Sequence, residues 1–379
     1  MTEQDMVDAA RLTESAGAVF AVLAEAGSAT RPQLAAGAGL SKPTVSTAVA
    51  ELEAAGLAAR SGTAHGTTGR SAAVYRLGPA AGCVLAVDLG STHTEVRGCA
   101  LDSTVLATEK SYGDARSADA VRTVVDRIGA ASPVRAVVVA VPDVANGGGQ
   151  APRPATPRIA RAVDALALPS GIPVHIENNV NCAALAELHG GAALGRHTFG
   201  YLQVGFGIGL GIVVDGHVLR GANGAAGEIA RLPYPWAEGR EAAREALEEY
   251  AGARALIARV SGAWPPEDGP APRDAEQLFA LASAGNGTAR AFVAAHAREV
   301  GRLAAAVTAV LDPGLLVLGG GIGANPQLLP GVRAELKRLS WPTEVVSSTL
   351  GDSGTVVGAS RLAVARGIQT VTGAARVKD

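Results

Sequence analysis

Cysteine is scarce: Cys83, Cys99 and Cys182 are the only three in 379 residues, an odd number with no CxxC spacing. They read as reduced core residues rather than a disulfide framework or a catalytic thiol. Long apolar runs are missing as well. The longest aliphatic stretches, such as Val137 to Val141, fall far short of the ~20 residues needed to span a bilayer. The opening MTEQDMVDAA carries acids and no apolar segment, so no secretory signal is expected. An excess of either charge is also lacking. A formal net charge of −2 excludes a chain that coats nucleic acid by charge alone, and equally a disordered acidic one. Together these absences predict a cytoplasmic protein with no membrane partner. What the chain has in quantity is apolar side chains, 48% of the total, and 48 glycines. Its length allows two or three domains with buried cores. Arginine far outnumbers lysine, as expected of a GC-rich genome.

Residues 16 to 57 read as three short helices. Val19, Val22 and Leu23 share a face of the first. Thr30 caps the second, with Pro32 in its first turn and Gln33 completing a capping box; Leu34 and Ala35 face inward. Gly39-Leu40 makes a tight turn, Ser41 caps the third helix with Pro43 in its first turn, and Gly56 stops it. Val45, Val49 and Leu52 fall at i, i+4, i+7 on its buried face. Helix, short glycine-containing turn and helix form the helix-turn-helix pattern. The other face of the third helix, with Ser41, Lys42, Thr44, Ser46 and Thr47, offers hydroxyls and one cation to a DNA major groove. Leu57 to Arg60 and Ala73 to Leu77 read as two strands of a wing, with Arg70 placed to reach a minor groove. Five cations face two acids over residues 31–78, but acids nearer the N-terminus offset that surplus. DNA binding would therefore depend on a local positive face and on dimerisation. A three-helix protein-interaction domain is the alternative.

After Pro79 the texture changes. An apolar strand from Cys83 to Leu89 ends in Asp88-Leu89-Gly90-Ser91-Thr92, and a second strand runs from Thr94 to Leu101. The same shape returns from Tyr201 to Val214 around Gly205-Phe206-Gly207-Ile208-Gly209. A third buried strand, Leu316-Val317-Leu318, precedes Gly319-Gly320-Gly321-Ile322-Gly323. The repetition implies two related α/β lobes, and Gly-rich turns after strands let backbone N–H groups approach phosphates. Between these repeats, a strand over residues 172–176 runs into Glu177-Asn178-Asn179 and then a helix starting near Val180.

The winged helix, joined in this order to DLGST, IENNVNCAALAE, VGFGIGLGIVVDG, RGANGAAGEIA, ALEEYAG and LVLGGGIG, resembles the ROK family of repressors, open reading frames and sugar kinases. The resemblance covers nearly the whole chain. It implies an α/β fold in which an N-terminal winged helix-turn-helix (1–78) precedes a two-lobed, actin-like (ribonuclease-H-type) body. The lobes are expected at 79–188, joined by a C-terminal helix over 360–379, and at 189–359. Sugar and nucleotide sites would lie in the cleft, and a member with a winged helix is expected to be a transcriptional regulator.

In the family's kinases the second residue of an Asn-Asp pair is the general base, and Asn179 stands at that position. An amide cannot take a proton at neutral pH, and losing a positioned base costs about 10²- to 10⁴-fold. Where those kinases carry Thr in the second Gly-rich turn this chain has Phe206, which would crowd a triphosphate. The family's GxPG turn reads Val141-Pro142-Asp143-Val144, with a carboxylate in place of a glycine. Asp88, Gly90, Thr92, Gly207, Gly319 and Gly320 remain as a vestigial nucleotide site, though Asp88 with Gly90 also reads as a turn former. The family's zinc pattern, GEIGH followed by CxCGxxGCxE, is lost: Arg231 replaces the His, and Gly239, Glu241 and Ala246 replace the three Cys. No zinc, ATP or magnesium is expected. Glu241 to Ala258 reads as one continuous Ala-rich helix, and Asn146 to Pro157 as a mobile loop over the cleft.

The sugar side is the best preserved. The resemblance maps effector binding onto Asn178, Asn179, Glu228 and Glu248, with Arg231 in place of the ligand-binding His. The competing reading is that Glu228 and Glu248 merely pair with Arg231. The expected protein is a DNA-binding repressor, a homodimer or homotetramer on a palindromic operator, sensing a sugar, sugar acid or sugar phosphate. An ATP-dependent sugar kinase with an attached DNA-binding domain and a ligand-independent DNA-binding regulator are the alternatives.

Overall fold

The computed structural model describes residues 12–65, 71–90, 92–113, 116–146, 153–154, 156–232, 243 and 246–373. The front segment runs α1 (Glu14–Ala26), β1 (Ser28–Thr30), α2 (Arg31–Ala38), α3 (Lys42–Ala54), β2 (Ala58–His65) and β3 (Ser71–Leu77). Each helix starts on a residue able to satisfy its free N–H groups. Thr13 Oγ1 accepts from Ala16 N at 3.2 Å, and Ser41 Oγ from Thr44 N at 3.3 Å. Gln33 Oε1 accepts from Thr30 N at 2.8 Å. Thr13 also gives its N–H and hydroxyl to the Glu51 carboxylate, tying the start of α1 to α3. Val19, Phe20, Leu23, Leu34, Val45, Val49 and Leu52 are buried between the helices.

The wing is longer than the apolar pattern suggests. Small exposed residues, Ser61 to Ala64, carry no alternation, but the backbone ladder continues through Thr63↔Ala73 to His65↔Ser71 past a bulge at Arg60/Gly62.

Contact clustering divides the chain into two compact units. The first holds the described parts of residues 1–143, 151–177 and 359–379, and the second those of 144–150 and 178–358. In the first unit β4 (Cys83–Leu89), β5 (Thr94–Ala100), β6 (Val105–Ser111), β7 (Val134–Val141) and β10 (Val174–Asn178) form a sheet ordered β10-β7-β4-β5-β6. Helix α4 (Ser117–Ile128) packs on β5 and β6. The short strands β8 (Ala145–Asn146) and β9 (Arg153–Pro154) and helix α5 (Pro157–Asp164) lie between β7 and β10 in the chain. Residues 147–152 and 155, most of the expected loop, fall outside the described residues.

The second unit contains α6 (Asn179–Gly190). Its sheet, ordered β13-β12-β11-β14-β15, contains β11 (Phe199–Val204), β12 (Ile208–Val214), β13 (His217–Val218), β14 (Leu315–Gly319) and β15 (Glu344–Ser347). This repeats the first sheet strand for strand: an antiparallel meander (β4-β5-β6, then β11-β12-β13) extended by parallel neighbours (β7, then β14). One face of the second sheet is covered by α6. A Cβ on Gly209 would come within 2.7 Å of Val180, and one on Gly211 within 2.7 Å of Ala184, so two glycines let helix and strand touch. This contact places α6 with the second unit, although the sequence division put residues 179–188 in the smaller lobe. The other face packs on α7 (Ala246–Ala251), α8 (Ala253–Ala263), α9 (Ala275–Ser283), α10 (Gly287–Leu311), the short α11 (Gly320–Gly323) and α12 (Leu329–Leu339).

Helix α13 (Gly354–Thr372) crosses from the second unit's residues into the first. In the first unit its Gly367 sits on Val84 and Leu101, and its Thr372 meets Gly17 of α1. Among the described residues no helix is long and apolar enough to cross a membrane.

Candidate functional site

At the end of β10, Glu177 is buried and Asn178 becomes the N-cap of α6. The Asn178 Oδ1 accepts from Val180 N at 2.8 Å and Asn181 N at 3.1 Å. Two of the four orphan N–H groups of the helix are thereby satisfied, so this oxygen is committed to the fold. Its place in the motif points only to a ligand role for Asn178. The signal for capping was present, because Asn between a strand and a helix is a preferred N-cap. Asn179 follows as the first helical residue and is half-buried.

Gly227 sets up the next group. Its φ of +83° and the 1.8 Å that would separate a Cβ from Leu210 O both demand glycine. Leu210 N donates to Gly227 O at 3.2 Å, pinning the segment to β12. Glu228 and Arg231 then bracket a 3-10 turn. Arg231 Nε lies 3.7 Å from Glu228 Oε2, with the Arg231 side chain 46% exposed; an ion pair this open contributes about 0–1 kcal/mol.

Helix α7, which carries Glu248, packs against that turn. Glu248 bonds elsewhere: its Oε2 accepts from Ile208 N at 3.3 Å, at the close of the second Gly-rich turn. The same oxygen would stand 3.0 Å from a Cβ on Gly207. The structure thus brings Asn178, Asn179, Glu228, Arg231 and Glu248 into one unit. Arg231 pairs with Glu228, while Glu248 serves the turn.

The expected continuous helix from Glu241 to Ala258 is corrected. Residues 241, 242, 244 and 245 lie outside the described residues, and the remainder breaks at Gly252, which is extended at φ −71°, ψ 166°. Gly252 N donates to Glu248 O at 2.8 Å, and Ala253 N to Gly205 O at 2.9 Å. Docking of α8 on the Gly-rich turn overrides a helical pattern that has no local reason to stop. Arg254, in the first turn of α8, then lies 4.3 Å over the centroid of the half-exposed Phe206 ring. Arg254 has no motif around it and was missed in the sequence.

The other positions expected at a nucleotide site have structural work. A Cβ on Gly319 would fall 2.1 Å from the Tyr201 hydroxyl, and one on Gly320 2.7 Å from Val204 O. Both glycines are required by packing before any ligand is considered. Tyr201 is buried, and burial, followed by the nearby Glu187, pushes its phenol up. In the first unit Asp88 is 5% exposed. Burial, then the neighbouring Glu95, raises its carboxyl to about 7 against an opposing effect of Lys110. Gly90 lies against His93 O, and Thr92 Oγ1 is 3.0 Å from His93 Nδ1. Asp143, in the altered GxPG turn, is buried, and its Oδ2 accepts from Thr156 N at 2.6 Å, at the N-cap of α5.

Of the zinc positions, Gly239 and Glu241 lie outside the described residues. Ala246 and Arg231 offer a methyl and a guanidinium, neither of which donates a lone pair to a metal. Among the described residues no group of three or more His, Cys, Asp and Glu side chains is placed to hold a metal ion.

On the winged helix, Lys42, Ser46 and Thr47 are exposed along one face of α3. Ser41 and Thr44 share a hydroxyl hydrogen bond at 2.7 Å, and Thr47 Oγ1 donates to Pro43 O at 3.3 Å. Arg70 lies outside the described residues.

Comparison with known proteins agrees with this architecture. The ROK family model matches residues 84–366 and the MarR family model residues 12–71. The bifunctional enzyme NanE/NanK of Brucella melitensis is 31% identical over 51% of this chain, which spans 36% of that protein's length. The crystal structure of a ROK family transcriptional regulator, a homolog of the E. coli MLC protein, superposes with a TM-score of 0.71 at 21% identity. It covers 95% of this chain and 98% of its own. The ROK hexokinase of Thermus thermophilus superposes with a TM-score of 0.55 at 30% identity, covering 74% of this chain and 97% of its own. An N-terminal winged helix of the MarR type is thus followed by an actin-like sugar-kinase fold, and the chain belongs to the ROK family.

Proposed function

We propose that this protein is a DNA-binding transcriptional regulator, acting as a repressor, whose sugar-kinase-like body senses a carbohydrate and transfers no phosphoryl group. The observation that carries the reading is the amide of Asn179 at the first turn of α6, where phosphoryl transfer needs a carboxylate. The second Gly-rich turn supports it. Ile208 N is taken by the Glu248 carboxylate, and Phe206 with Arg254 fills the space beside it. An incoming triphosphate would meet the Glu248 carboxylate and the Phe206 ring, and the Arg254 cation over that ring.

On this reading the ligand is a sugar, sugar acid or sugar phosphate held by Asn179, Glu228, Glu248 and Arg231, with Asn178 fixing the helix start. Carboxylates accept from neighbouring hydroxyls, and the Arg231 fork can donate to an anionic group. Neither zinc nor ATP is part of the working protein. DNA is bound through α3 and the wing, by a homodimer or homotetramer on a palindromic operator.

Several relatives are kinases, so an active kinase with a DNA-binding attachment is the competing reading. Two measurements separate them: ATP turnover in the presence of D-glucose or N-acetylmannosamine, and a gel shift of operator DNA with and without the same sugars. A sugar-dependent shift without turnover supports the regulator. Turnover at ordinary kinase rates, about 1–100 s⁻¹, refutes the loss of activity. Metal analysis should find no stoichiometric zinc, and a chelator should leave the Tm unchanged.

A further inference from the structure

Helix α7 is six residues long, yet it carries Glu248. A helix well under about 12 residues does not hold its own conformation in water, so the position of Glu248 must be set by tertiary contacts. Those contacts converge on one side chain of α10. Tyr250, two residues after Glu248, donates its hydroxyl to Glu299 Oε1 at 2.9 Å. Arg259 of α8 donates Nη2 to Glu299 Oε2 at 2.9 Å. The same guanidinium donates Nη1 to the Tyr250 carbonyl and lies 4.9 Å from the Tyr250 ring centroid. His296, 1% exposed, places Nδ1 3.3 Å from Glu299 Oε2. Two helices on either side of Gly252 are thereby clamped to a third through one carboxylate.

We infer that Glu299 is the positioning residue for Glu248: by holding Tyr250 and Arg259 it fixes the register of α7, and so presents the Glu248 carboxylate to the Ile208 amide and to a ligand. Three donors make this carboxylate well suited to the task. Burial pushes its pKa up, but hydrogen bonds from His296 and Tyr250 and the charge of Arg259 outweigh it, and Glu299 is held below the usual carboxylate range. It therefore stays an acceptor across the pH range in which a regulator works. The nearby ion pair of Arg302 with Glu335 lies on the same helix α10 but joins it to α12, and it serves as an internal control.

The part of this inference that concerns ligand rests on the reading that Glu248 lines the effector site; the part that concerns the placement of Glu248 does not. Hydrogen–deuterium exchange of the full chain tests placement without any ligand. In Glu299→Gln, peptides covering 246–252 and 206–209 should exchange about tenfold faster, as expected for the loss of a charged hydrogen bond. The β14 peptide, 315–319, should be unchanged, and Arg302→Gln should move neither region. Tyr250→Phe, which deletes a single hydroxyl, should reproduce the effect in direction and supplies the same test if Glu299→Gln does not fold. Unchanged exchange at 206–209, or a uniform rise that includes β14, overturns the inference. With D-glucose as probe, Glu299→Gln and Tyr250→Phe should each weaken binding, and the double variant should be no worse than the weaker single one. Additive losses in the double variant would overturn the shared pathway. If Glu248→Ala leaves D-glucose binding unchanged, the effector reading fails while the exchange result still decides the positioning role.

Discussion

The Glu248 carboxylate accepts the Ile208 amide at 3.3 Å, within a turn whose backbone N–H groups would face phosphate in a nucleotide-binding protein. A fixed negative charge at that place repels the ligand the turn would otherwise receive. Restoring the base should therefore not restore the reaction. Asn179→Asp is expected to show no sugar-dependent ATP hydrolysis at kinase rates, because Phe206 and Glu248 still stand at the second Gly-rich turn. A phosphate-release assay with D-glucose and N-acetylmannosamine checks this, and turnover of about 1–100 s⁻¹ in that single variant would refute it.

Asp88 gives a pH signature. Its carboxyl is raised by burial, then by Glu95, from 3.8 to about 7, so the folded chain keeps a proton that the unfolded chain releases. Between these values unfolding releases a proton, and the stability associated with Asp88 falls as pH rises from about 4 to 7. Asp88→Asn should be close to neutral at pH 4 and stabilising at pH 8, by at most roughly 4 kcal/mol. Denaturation of both proteins at the two pH values measures it. An equal difference at both would show that Asp88 ionises normally.

The face of α3 should separate affinity from specificity. Ser46→Ala and Thr47→Ala are expected to reduce discrimination between operator and random DNA, since both hydroxyls are exposed where a recognition helix reads bases. Lys42→Ala should weaken both kinds of binding and reduce the salt dependence by about one contact. Ser41→Ala should also cost about 0.5–2 kcal/mol of stability, because its hydroxyl caps α3. Binding curves at several salt concentrations test the set; wild-type behaviour in Ser46→Ala, Thr47→Ala and Lys42→Ala alike would reject the helix assignment.

Arg231 should tune ligand charge. Its pairing with Glu228 is loose and half-exposed, so the guanidinium remains able to meet an anionic group. Glu228 and Glu248 oppose that charge, so the expected preference is slight: calorimetry should find gluconate bound somewhat more tightly than D-glucose in the wild type, with the preference lost in Arg231→His. Tighter binding of the neutral sugar in the wild type would reject the anion preference, and unchanged affinity in Glu228→Ala and Glu248→Ala would reject the site.

Features set by neighbouring residues were readable from the sequence. The Thr30–Gln33 box, the Ser41 cap, the buried face Val45–Val49–Leu52 and the two strand–glycine–strand repeats all depend on short-range chemistry or on periodicity. Features set by distant contacts were not readable. The break at Gly252 arises because Gly205, nearly fifty positions earlier, supplies a carbonyl to Ala253. Asp143 looked like a disturbed phosphate turn, and its partner is the amide of Thr156, across a segment with no periodicity. Glu248 was assigned to a sugar from its motif. Nothing in the local sequence announces that its carboxylate also closes the turn at Ile208.

Helix α13 alters how the winged helix can be handled as a building block. Thr372 lies against Gly17, with its Cβ 3.4 Å from where a Gly17 Cβ would stand, and Gly17 is buried in the described structure. The first helix of the DNA-binding segment thus rests on the last turn of α13. A chimaera that swaps only the first 78 residues between two family members would pair an incoming α1 with a foreign last turn. Such swaps should succeed when α13 travels with the winged helix.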